Sequence, residues 1–72
     1  MPDTIKLFES LPDEFKYKII IESITKSETA KYWLLINGYE HKQDFIIMIG
    51  LFNTYFFFKS IELAVEFSLV NL

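Results

Sequence analysis

An uncharged run from Phe45 to Phe58 constrains this chain more than any other feature, because it gathers five of the eight phenylalanines into one short stretch of a 72-residue sequence. A membrane-spanning helix needs about 20 apolar residues. This run is shorter and is interrupted by Gly50, Asn53 and Thr54, so protein rather than lipid is its expected surrounding. The segment Phe45-Ile46-Ile47-Met48-Ile49-Gly50-Leu51 is rich in β-branched and aromatic residues and is preceded by the polar Glu40-His41-Lys42-Gln43-Asp44. Asn53-Thr54 then offers a turn before Tyr55-Phe56-Phe57-Phe58. The pattern predicts a hairpin with strands near 44–51 and 54–59. Phe45, Ile47, Ile49 and Leu51 would face one way and Ile46, Met48 and Phe52 the other, so both faces would favour leaving water.

The residues after the hairpin read as a helix over 60–71. Ser60 stands as N-cap, Glu62 lies in the first turn, and Ile61, Ala64, Val65 and Ser68 recur at helical spacing. Its polar stripe is narrow and carried by Glu62 and Glu66, one turn apart. At the other end of the chain, Asp3 can cap a short helix over Thr4–Glu9, and Pro12 then breaks or restarts the chain.

The middle of the chain admits two readings. Phe15, Tyr17, Ile19 and Ile21 alternate with Lys16, Lys18, Ile20 and Glu22, which predicts a strand near 15–24. Thr25 to Ala30 then forms a polar connector, and Tyr32-Trp33-Leu34-Leu35-Ile36 predicts a strand near 31–38. The competing reading is helical. It has Pro12 at N1, Asp13 and Glu14 in the first turn, and Glu14–Lys18 and Lys18–Glu22 at i,i+4 spacing. Its second helix takes Thr25-Lys26-Ser27-Glu28 as a capping box and ends at Asn37, with Gly38 as its C′ glycine. The favoured expectation is one α+β domain over 1–72: a four-stranded antiparallel meander, a C-terminal helix packed on it and a short N-terminal helix. The alternative is all-α, a helical hairpin plus C-terminal helices.

Leu11-Pro12-Asp13-Glu14-Phe15-Lys16-Tyr17-Lys18-Ile19-Ile20 resembles the opening of an F-box, a small all-α module that docks a ubiquitin-ligase adaptor. Leu11, Pro12, Glu14 and Ile19 stand where that motif has them. The likeness covers about ten residues, and Leu-Pro-Asp-Glu is also generic helix-start chemistry. Ala30-Lys31-Tyr32-Trp33 arrives earlier than the family's second segment, and Phe45–Phe58 has no counterpart there. The resemblance implies the all-α fold and an adaptor-binding role.

Charge and residue type exclude more activities than they support. Ten acids against seven lysines leave a net charge of −3, and arginine and cysteine are both absent. Guanidinium is the usual bidentate reader of phosphate and of guanine, so its absence and the negative charge argue against nucleic acid as a partner. Tyr32, Trp33, Tyr39 and Tyr55 could stack bases on a sheet, which keeps a single-stranded nucleic-acid binder as the alternative function. His41 is the only histidine and sits among polar residues in an expected turn, with no nucleophile at a recognisable spacing. One histidine without cysteine makes no metal motif, and two separated glycines make no phosphate-cradling loop. No catalytic, metal or cofactor-binding residue is therefore assigned, and the chain is expected not to be an enzyme.

The expected role is a small acidic protein–protein interaction module, an inhibitor or regulator that occupies a surface on another protein. Its apolar surplus is expected to form a homodimer or to serve a partner. Glu62, Glu66, Glu40 and Asp44 are the candidate acidic contacts, with Trp33 and Tyr39 as aromatic ones. The abundance of Ile, Lys, Phe, Tyr and Asn is the codon bias of an AT-rich genome. It fits a phage, viral or other mobile-element product. The N-terminus lacks the basic and apolar pattern of a secretion signal, so a cytoplasmic location is expected, in the host if the source is viral.

Overall fold

A computed structural model describes residues 12–72. The helix expected over Thr4–Glu9 lies outside them. Strand β1 (Tyr17–Ile21) leads into helix α1 (Ile24–Ile36), followed by β2 (Phe45–Ile49), β3 (Thr54–Phe58) and helix α2 (Ile61–Asn71). The fold is α+β. The sheet order is β1-β3-β2 and both pairings are antiparallel. β1 and β2 therefore run in the same direction, joined by the α1 crossover, with β3 between them.

The hairpin, the first strand and the last helix follow the sequence expectation closely, whereas the expected strand at 31–38 is replaced by the second half of α1. Three strands, not four, make the sheet of the described residues, and its order is not that of a meander. Both ends of α1 carry strong stop signals. Ser23 accepts the Lys26 amide on its Oγ at 3.2 Å. At the other end the Gly38 amide donates to the Leu35 carbonyl at 3.1 Å and the Tyr39 amide to the Leu34 carbonyl at 3.0 Å. That pair of bonds is the Schellman motif, and it requires the left-handed conformation that Gly38 adopts at φ 87°. Ser27, Ala30 and Leu34 form the buried stripe, at a helical spacing that a strand would have split between two faces.

The all-α alternative fails at the residues that resemble an F-box. Pro12 opens a turn closed by the Phe15 amide on the Pro12 carbonyl at 3.1 Å, and Tyr17 to Ile21 then pair with Phe58 to Thr54. Extended pairing satisfies every second backbone group of β1 with β3, which a helix over the same residues would have satisfied internally.

Register places Tyr17, Phe58 and Phe45 in one row and Ile19, Phe56 and Ile47 in the next, and both helices cover this face. Phe67 of α2 occupies its centre, with ring centroids 4.8 Å from Phe56, 4.9 Å from Phe58 and 6.0 Å from Trp33. Among the seven phenylalanines of the described residues, all but Phe52 are buried. One chain thus encloses more of the aromatic surplus than its size suggested, and among the described residues the exposed surplus is mainly aliphatic.

Candidate functional site

Four of the six residues singled out from the sequence line one small cleft of about 210 Å³: Tyr39, Asp44, Glu62 and Glu66, together with Lys59, Ser60 and Leu63. Local chemistry places each of them. The Schellman turn sets Tyr39 two residues past the helical cap, where its ring lies 6.3 Å from that of Trp33. The following loop is tied by the Asp44 carboxylate, whose Oδ2 accepts the Glu40 amide at 2.9 Å, and by the Asp44 amide on the Glu40 carbonyl at 2.8 Å. Across the cleft, the Ser60 Oγ accepts the Leu63 amide at 3.2 Å and donates to Glu62 Oε1 at 3.0 Å. Glu66 follows one helical turn later.

Among the described residues, three carboxylates and one ammonium line the cleft, and the ammonium is engaged elsewhere. Lys59 Nζ lies 4.0 Å from Glu14 Oε2 and 5.1 Å from the Phe15 ring centroid. Among the described residues, Asp44, Glu62 and Glu66 form no ion pair. The cleft therefore joins an acidic wall to the ring of a half-buried tyrosine, an arrangement suited to a cationic side chain.

The other two candidates do not line this cleft. Glu40 contributes its backbone to the loop, and Trp33 is packed between Tyr39 and Phe67 as part of the core boundary. The proposed base-stacking platform is dispersed as well. Tyr32 and Trp33 belong to a helix, Tyr39 to its cap and Tyr55 to β3.

His41 has a structural role that its neighbours in sequence did not suggest. Its Nε2 accepts the Ile47 amide at 3.4 Å, its ring sits 5.6 Å from that of Phe45, and the adjacent Lys42 amide donates to the Phe45 carbonyl at 2.6 Å. The loop thus covers part of the outer edge of β2. Lys42 reaches this position with φ at 74°, a conformation uncommon for a residue with a side chain. No spacing rule links His41 to Ile47, so only the folded loop reveals the contact.

Among the described residues, no group of three or more His, Cys, Asp or Glu side chains is placed to hold a metal ion, and no helix is long and apolar enough to cross a membrane. Comparisons with protein-family models, with curated proteins and with solved structures found no match to the chain.

Proposed function

We propose that this chain is a small acidic interaction module, an inhibitor or regulator that acts by binding another protein through the cleft at the start of α2. The observation that carries this reading is the set of three carboxylates around Tyr39, with Lys59 at the same cleft turned toward Glu14. A lysine or arginine side chain of the partner would meet Asp44, Glu62 and Glu66 while its stem packs on the tyrosine ring.

The same proposal includes a homodimer. Ile24, Ile49, Leu51 and Phe52 are each about 80% exposed or more and share the lining of an apolar depression of about 290 Å³ at the hairpin tip. Burying a side chain of this size is worth about 1.5–3 kcal/mol, so pairing of two tips is a substantial driving force.

A lysine-rich probe peptide, titrated at low salt while backbone amide shifts are recorded, tests the cleft. The expected result is saturable movement of the Tyr39, Asp44, Glu62 and Glu66 signals, weakened at least tenfold in the Glu62→Lys, Glu66→Lys double variant with its circular dichroism unchanged. Scattered shifts that the double variant leaves intact would remove the cleft from the proposal.

A further inference from the structure

We propose that Asn37–Gly38 is a site of spontaneous covalent modification, at which Asn37 loses its side-chain amide to become aspartyl or isoaspartyl, and that the C-terminal cap of α1 holds the reaction back. The chain carries three asparagines, and Asn37 alone precedes a glycine; Asn53 precedes Thr54 and Asn71 precedes Leu72. A side chain on the following residue crowds its backbone nitrogen, whereas glycine leaves that nitrogen free to approach the asparagine side chain.

Water is the only other reactant. The Gly38 amide nitrogen gives its proton to solvent and attacks Asn37 Cγ, forming an N–Cγ bond. The Cγ–Nδ2 bond breaks, and the leaving nitrogen takes up a proton and departs as ammonia, which leaves a five-membered succinimide. Water then opens the ring at one of its two carbonyls. Attack at Cγ breaks the new bond and gives aspartate. Attack at the backbone carbonyl breaks the original peptide bond and gives isoaspartate, in which the chain runs through Cβ and Cγ.

The folded cap opposes the first step in three ways. The attacking nitrogen is engaged, because the Gly38 amide donates to the Leu35 carbonyl at 3.1 Å. The leaving nitrogen is engaged as well, since Asn37 Nδ2 donates to the Trp33 carbonyl at 2.8 Å. Finally, the Asn37 ψ of 6° eclipses the Gly38 nitrogen with the nitrogen of Asn37 itself and so turns it away from Cβ. A five-membered ring closes only when that nitrogen swings to the Cβ side. Both hydrogen bonds must break and ψ must rotate, which amounts to local opening of the Schellman motif.

The product cannot rebuild the same cap. A carboxylate at position 37 has no N–H for the Trp33 carbonyl, and it adds negative charge at the helix end whose dipole is already negative. Isoaspartate also inserts a carbon into the backbone just before Tyr39, whose amide bonds the Leu34 carbonyl at 3.0 Å. Conversion is thus a one-way loosening of the turn that sets Tyr39 beside Trp33.

Incubation at mildly alkaline pH, followed by peptide mass spectrometry and isoaspartate detection, tests the site on the native chain and on the chain unfolded in guanidinium chloride. The unfolded chain is expected to convert at Asn37 at least tenfold faster than the native one, with Asn53 and Asn71 intact over the same period. Gly38→Ala is expected to slow conversion of the unfolded chain at least tenfold. In Asn37→Asp, hydrogen exchange at the Gly38 and Tyr39 amides is expected to accelerate at least threefold while exchange in β3 stays unchanged. Conversion spread evenly over the three asparagines, equal rates in native and unfolded chains, or unaltered exchange in Asn37→Asp would each overturn the proposal.

Discussion

Truncating Phe67 to alanine removes the ring on which Phe56, Phe58 and Trp33 converge, at a position that is wholly buried. Such truncations cost about 3–5 kcal/mol, and a core in a domain of this size supplies on the order of 3–5 kcal/mol in total. Phe67→Ala is therefore expected to be unfolded at 25 °C, with its far-UV dichroism lacking a cooperative thermal transition, whereas Phe67→Leu retains one at lower temperature. A cooperative Phe67→Ala melt near that of the parent chain would show that the core can rearrange around the loss. Phe67 falls within the helix that the sequence predicts over 60–71. That four rings would meet there depends on β3 lying centrally, which no local pattern expresses.

Serine plays two different parts in the helices, and the difference is measurable. Ser60 caps α2 through the Leu63 amide, and replacing such a cap with alanine costs about 1 kcal/mol. Ser27 is more buried, yet its hydroxyl donates to the Ile24 carbonyl at 2.8 Å, a group near the start of the same helix. Back-bonding of this kind contributes little to helix stability. Urea denaturation is expected to show Ser60→Ala destabilised by about 1 kcal/mol and Ser27→Ala changed by less than about 0.5 kcal/mol, despite its greater burial. An equal loss in both would mean that burial, not capping, sets the value of these hydroxyls. The same scale explains why a helix replaces the strand expected at 31–38. Tyr32 and Trp33 favour strands in isolation, but the terminal capping of Ser23 and Gly38 and the buried stripe of Ser27, Ala30 and Leu34 act together over the whole element. The C′ role of Gly38 was visible in the sequence, and so was the alternation of Tyr17, Ile19 and Ile21; the two belonged to competing folds.

For the molecule as a whole, the hairpin tip is the feature least explained by a single chain. Leu51 is 94% and Phe52 82% exposed, while every other phenylalanine of the described residues is buried. Sedimentation equilibrium across a concentration series is expected to give a dimer, and the Leu51→Asp, Phe52→Asp double variant is expected to give a monomer with an unchanged fold. A monomeric parent chain would separate the tip from self-association and leave the acidic cleft as the proposed partner surface.

The sequence by itself determined the hairpin, the capped C-terminal helix and the alternating first strand, since each is expressed in a pattern of residues a few positions apart. It also marked Tyr39, Asp44, Glu62 and Glu66 as chemically interesting. Tertiary structure decided that α1 would be a helix throughout, that β3 would insert between β1 and β2, and that these four side chains would share a cleft. It also set His41 against the β2 edge. The physical reason is the same in each case. Local propensities along this chain were nearly balanced, and burial of the phenylalanine rings against both helices is a property of the assembled layers that no short window of sequence contains.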